Sequence, residues 1–218
     1  MNAGSPLNGD DGYVASESPS SQTPSRTFTE TARRAQLIEA AIATVNEIGY
    51  HRASLSEIAR RAGVAKSAIV YYFSSKEALL LSVVEDVFTR LEAAVAEAVD
   101  AGAEPSAQLR AYANGYLSYV DGHRAEVTAG IEIVVSHRTE DGIPLYLTGT
   151  EEDSPVLRGV LSAGMEAGTF RRMPLEVAVA LVEALLDVPV TELQRDLAAD
   201  IEPFAAGTVA ALTNAFTV

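Results

Sequence analysis

SEIARRAGVAKSAIVYYFSSKEALL, residues 56 to 80, decides how this chain folds. Just ahead of it, Ser54 followed three residues later by Glu57 has the form of a capping box: the hydroxyl accepts from the third helical amide while the carboxylate reaches back. Leu55, Ile58, Ala59 and Ala62 then recur at helical spacing. Gly63 stops this helix after about two turns, since glycine takes the left-handed conformation of a sharp helix-to-helix bend at little cost. A second short helix follows over "AKSAIVYYF". Ser74 with Glu77 reads as another capping box, opening a long helix whose Leu79, Leu80, Val83, Val84, Val87 and Leu91 keep an apolar stripe to about Val99.

Upstream, Thr27 with Glu30 reads as a capping box, followed by Ala35, Ile38, Ile42 and Val45 at helical spacing and a stop at Gly49. Residues 1–25 are rich in Gly, Ser, Pro and Asn without apolar periodicity, and are expected to be a disordered tail. Downstream, helices are expected near 105–120, 123–137, 152–168, 174–197 and 203–217, with Pro105, Pro155, Pro174 and Pro203 in first turns. The main loop is 139–150. No segment reads as a strand, so the fold class is all-α.

Of 218 residues, 48% are hydrophobic and the formal net charge is −14. That charge is divided unevenly: −3 over residues 1–25, +4 over 26–76 and −15 over 77–218. One segment is suited to meet a polyanion while the rest stays clear of it. There is no Cys, hence no disulfide framework, thiolate nucleophile or Cys-based metal site. No stretch approaches the roughly 18 uninterrupted apolar residues of a membrane span, and residues 1–25 show no secretory leader. A soluble cytoplasmic protein is expected, without membrane partner, metal or cofactor.

Two short helices joined by a glycine turn behind a longer helix form a helix-turn-helix, whose second helix enters the major groove of double-stranded DNA. Lys66, Ser67 and Tyr71 lie on that helix with Tyr72 near its end, and Lys76 sits at the next helix start, where free amides also favour phosphate. Phe73 is expected in the core; Arg60 and Arg61 suit solvent as well as phosphate.

Residues 29–80 resemble the DNA-binding domain of the TetR family of transcriptional regulators, through the glycine of "EIGYHRASL", the "IA..AGV" helix and turn, the aromatic cluster "YYF" and "SKE.LL". The resemblance implies an N-terminal three-helix DNA-binding domain at 26–75 and a helical effector-binding and dimerisation domain at 76–218. It further implies a homodimer that represses from a palindromic operator and is released by a small-molecule effector. It places Ser54, Lys66, Ser67, Ala68, Tyr71 and Tyr72 at the DNA, with Lys76 as the phosphate-contacting lysine. The family often has Ser, Gly and Thr where this chain has Ala65, Ser67 and Ala68. Ala68 offers a methyl for a thymine methyl and no hydrogen bond.

In the acidic remainder, "PLEVAVALVEALLD" is apolar nearly all round, with stripes Val177–Leu181–Leu185–Val188 and Val179–Val182–Leu186–Val190. One side is expected to meet the chain's own core and the other a second subunit. Val179, Val182, Leu186 and Val190, with Val209, Leu212 and Phe216 of the last helix, are the candidate dimer seam. Pro189 is expected to kink or break its helix. Tyr112, Tyr116 and Tyr119 share one helix face; with His123, His137 and Tyr146 they are the candidate effector pocket.

Catalysis is disfavoured. The three His form no HExxH with Glu126 or its neighbours, and there is neither GxSxG nor a phosphate-cradling glycine loop. The remaining alternative is a helical ligand-binding or scaffold protein that has lost operator binding.

Overall fold

Helix α1 (Pro24–Ile48), with Leu37, Ala41 and Val45 buried, packs against α2 (Leu55–Ala62) and α4 (Lys76–Ala98), and α2 packs in turn against α3 (Lys66–Phe73). These coordinates are a computed structural model that describes residues 24–149 and 153–218. Apart from Pro24 and Ser25, the expected tail lies outside them. Because α1 opens at Pro24, Thr27 is inside the helix and is not its cap.

The remaining helices are α5 (Pro105–Gly122), α6 (Arg124–Ser136), α7 (Pro155–Glu166), α8 (Leu175–Arg195) and α9 (Glu202–Phe216). Pro105 and Pro155 occupy first-turn positions, where the missing amide hydrogen has no partner to lose, while Pro174 stands just before α8. A single 3-10 turn, Leu145–Leu147, interrupts the described part of the long loop. Extended pairing among the described residues is confined to two isolated bridges, Arg138 with Pro144 and Phe170 with Thr217. The fold is all-α.

The buried stripe of α4, Leu79, Leu80, Val83, Val87, Leu91 and Val95, runs the length of the helix. Its start packs on α1 and α3, and its remainder on α5, α6 and α7, so one helix carries both the amino-terminal helices and the helical body. Its cap is Ser75, whose Oγ accepts from the Ala78 amide at 3.0 Å. Ser74, the expected cap, instead ends α3 with φ +57°. The chain needs both serines between two helices, and the capping hydroxyl belongs to the later one.

Helix α8 continues through Pro189 and does not break there. Proline leaves the carbonyl four residues earlier without its amide donor. That carbonyl belongs to Leu185, and the Thr208 hydroxyl of α9 donates to it at 3.4 Å. The burial of α8 reverses the expected assignment of its stripes. Val179, Val182, Leu186 and Val190 are buried in the protomer's own core with Leu212 and Phe216, and Val209 is half-buried. Val177, Leu181 and Val188 are the exposed ones. Periodicity identifies two apolar stripes but says nothing about which of them the chain itself covers.

Gly164 in α7 lies against Phe170, whose ring meets Phe216 edge-on at 6.4 Å between centroids. A Cβ at position 164 would sit 2.0 Å from the Phe170 ring. Gly164→Ala is therefore expected to destabilise the fold by roughly 1–3 kcal/mol through overpacking, read as a lower denaturant midpoint at unchanged slope.

Candidate nucleic-acid interface

The Ser54 hydroxyl caps α2 by accepting from the Glu57 amide at 3.2 Å. The reciprocal half of the expected box is missing, because the Glu57 carboxylate pairs with Arg60 instead. That hydrogen bond, reinforced by the Arg60 charge, holds the exposed Glu57 carboxyl below its ordinary range. Arg61 pairs with Glu47 of α1. Two cations that suited either solvent or phosphate thus have protein partners. At the turn, Gly63 has φ +67° and Val64 N donates to Ala59 O at 3.0 Å, which closes α2 and swings the chain into α3.

Helix α3 buries Ile69 and Phe73. A two-turn helix anchored at these positions leaves Lys66, Ser67, Val70 and Tyr71 exposed, with Tyr71 keeping 79% of its surface. Ala68 and Tyr72 are half-buried at the edges of that face. Tyr72 braces Tyr71 edge-to-face at 5.0 Å. The Arg34 guanidinium donates to Tyr72 O at 2.7 Å and lies over the Phe73 ring at 4.3 Å, fixing the end of α3 on α1. Val70 was not singled out from sequence. Its phase, three residues after Ser67 on the same face, is the signal that finds it.

Lys76 is not a free cation. Its ammonium donates to Tyr50 O at 2.8 Å and lies 4.6 Å from the centre of the Tyr50 ring. Loss of solvent pushes its pKa down, opposed by the neighbouring Glu77. An ammonium has three N–H donors, so this contact still leaves capacity for a phosphate.

The expected effector residues do not line one wall. Tyr112 and Tyr116 stand near Glu92, Glu183 and Asp187, and the Ser154 hydroxyl donates to Glu183 at 2.9 Å. Tyr119 and His123 stack at 4.1 Å. Of the six residues, Tyr119 alone lines the open groove of about 570 Å³ between α4 and α5. His137 is buried against Tyr50, at the junction with α1. Tyr146 is exposed on the 3-10 turn.

The profile of the bacterial regulatory proteins of the tetR family matches residues 37–83, which hold α2, α3 and the ends of the helices flanking them. Over this segment the chain is similar to the TetR family. The HTH-type transcriptional regulator BetI of Escherichia coli (strain S88 / ExPEC) is 41% identical over 81 residues, covering 37% of this chain and 42% of that protein. BetI of Yersinia pestis (strain Pestoides F) is 45% identical over 85 residues, covering 38% and 43%. The chain therefore spans about two fifths of the length of these curated relatives.

Likeness in fold extends further. A putative tetR-family regulator from Shewanella sp. PV-4 superposes with TM-score 0.70 at 16% identity, covering 85% of this chain and 98% of that one. The fatty acid degradation regulator FadR from Bacillus halodurans gives 0.70 at 23%, covering 83% and 94%. Both of the curated relatives named above are transcriptional regulators.

The tyrosines offer a check on the body. Burial first, and then the negative charges of Glu92 and Glu183 at Tyr112 and of Asp187 at Tyr116, push both phenols above the ordinary tyrosine range. A phenol whose folded pKa is raised contributes stability below its unfolded pKa, and this is lost as pH rises through the folded value. In a spectrophotometric titration the native protein should ionise only part of its eight tyrosines near pH 10, the remainder following together with alkaline unfolding.

Proposed function

We propose that this chain is a ligand-responsive transcriptional regulator. In this reading it represses from a palindromic operator as a homodimer in the cytoplasm and is released by a small-molecule effector. The observation that carries it is the outward face of α3: Lys66, Ser67, Val70 and Tyr71 on a short helix held behind the Gly63 turn by Ile69 and Phe73. A major groove about 12 Å wide admits one such helix, with lysine and hydroxyls for base edges and phosphates and a valine methyl for thymine. In this division residues 26–75 bind DNA and 76–218 bind effector and partner, with Ser54, Ala68, Tyr72 and Lys76 at the edges of the DNA face. The positive balance of residues 26–76 within an acidic chain supports it.

The second copy is assigned to the outer face of α8 and α9. Val177, Leu181 and Val188 are exposed on α8, and on α9 the small residues Ala206, Gly207, Ala210 and Ala211 are exposed and would permit close helix approach. Pairing there would present two recognition helices, which fit successive major grooves when about 34 Å apart. For the effector, a neighbour in fold, FadR from Bacillus subtilis, has been solved in complex with stearoyl-CoA, at 24% identity and TM-score 0.66. In this chain the region around Tyr112, Tyr116 and the α4–α5 groove is the proposed effector domain. No helix among the described residues is long and apolar enough to cross a membrane.

Selection from random duplexes should recover a palindrome, with affinity falling steeply as salt rises because neutralised phosphates release counterions. Tyr71→Ala or Lys66→Ala should cost about 1–3 kcal/mol and relax base preference at one position of each half-site, measured by competition among variant duplexes. A flat salt dependence would remove the DNA reading. Leu181→Glu should yield a folded monomer in sedimentation with much weaker duplex binding; a dimer unaffected by that charge would place the seam elsewhere.

A further inference from the structure

A chain of hydrogen bonds centred on Tyr50 joins α6 to the start of α4. Gly49 ends α1 with φ +82° and brings its backbone against α6: a Cβ there would lie 3.2 Å from Glu132 Oε1. The next amide, Tyr50 N–H, donates to that same oxygen at 2.7 Å. The Tyr50 hydroxyl is 2.8 Å from His137 Nδ1, and His137 is the buried residue that closes α6, its amide bonded to Ile133 O at 2.8 Å. One turn back along α1, Asn46 donates to Ala125 O at 2.8 Å and accepts from the Thr128 hydroxyl at 3.1 Å.

Ala125, Thr128 and Glu132 recur at spacings of three and four, so α6 presents one polar face to α1, and the His137 ring completes it. Tyr50 is thus held from the body at two points, its amide and its hydroxyl. It holds Lys76 in turn at two points, its carbonyl and its ring face. No other lysine shares this arrangement: the chain has only two, and Lys66 stands exposed on α3.

We propose that Tyr50 is the positioning residue through which α6 sets the placement of the Lys76 ammonium, so that movement of α6 in the body is read at the DNA phosphate without passing through the length of α4. This rests on the reading of Lys76 as a phosphate contact for its consequence at DNA, while the linkage itself stands on the contacts above. The physical reason is stiffness. A free lysine explores many rotamers, whereas one bonded to a carbonyl and seated on a ring has a single reach, and that reach follows the tyrosine. Should α6 shift, the hydrogen bonds from Glu132 and His137 carry Tyr50 with it or break. Either event changes the ammonium's position and its remaining solvation.

The test has two arms. In the first, without DNA, lysine ¹³Cε signals of the whole protein are followed through alkaline titration; with two lysines, Lys66→Arg assigns them. His137→Leu, at the end of α6, is expected to shift the Lys76 signal and raise its titration midpoint. In the Tyr50→Phe background, which lacks the hydroxyl that His137 engages, the same substitution should leave Lys76 unmoved. An unaltered Lys76 signal in His137→Leu, or an equal shift in both backgrounds, overturns the proposal. Should His137→Leu fail to fold, Tyr50→Phe alone deletes the same hydrogen bond, and an unchanged Lys76 signal there overturns it.

In the second arm, the duplex recovered by selection is titrated with protein. His137→Leu should change affinity about twofold to thirtyfold, the range for residues that couple separated sites, and should have no effect in a Lys76→Met background. An equal fold-change in both backgrounds means that His137 acts through the fold at large, and overturns the positioning role. If the wild-type protein binds no duplex, the regulator reading falls, and the first arm alone decides the linkage.

Discussion

The burial of one stripe of α4 is the constraint on which the other helices depend. Leu79 and Leu80 complete the core that Leu37, Ile58, Ile69 and Phe73 begin, and Val87, Leu91 and Val95 belong to the core of the body. A helix committed on one face through its whole length cannot rotate about its axis without opening both cores, and each exposed leucine or valine would cost about 1.5–3 kcal/mol. The amino-terminal helices and the body are therefore indexed to one rod.

The contact of α1 with α6 differs in character from this core. The core around α4 is apolar and tolerant of small shifts, since dispersion and burial are not directional. The junction of Asn46, Gly49 and Tyr50 with Thr128, Glu132 and His137 is directional, and its bonds at 2.7–3.1 Å are lost over a fraction of an ångström. Where a protein needs one part to sense another, such polar contacts convert small displacements into discrete changes. Their partial burial raises what is lost when they break.

The charge distribution fits the same division. The acidic body repels a polyanion, so a duplex approaching this chain is steered to the segment that carries the cations. Within that segment most guanidinium groups are already engaged: Arg60 with Glu57, Arg61 with Glu47, and Arg34 with the end of α3. They hold the short helices at a fixed angle, and in the proposed function the exposed face of α3 is left to meet the bases.

Local rules in the sequence determined the helices. The Gly63 turn, the α2 cap at Ser54, the burial of Ile69 and Phe73, and the long stripe of α4 depend on residues within a few turns of each other, and propensity, capping and periodicity act over that distance. Where two residues of equal local merit competed, the sequence was ambiguous. Ser74 and Ser75 are both good caps, and backbone geometry selected Ser75. Pro189 was tolerated because a threonine on another helix serves the carbonyl it strands. The two stripes of α8 have equal apolarity, and the positions of α5, α6, α7 and α9 decided which was covered. The six residues grouped as a pocket lay close in sequence, yet the packing of α5 and α6 sent them to different surroundings, and it brought His137 to Tyr50 from 87 positions away. Contacts made across such separations depend on how whole helices pack, and no local pattern encodes the direction in which a neighbour will arrive.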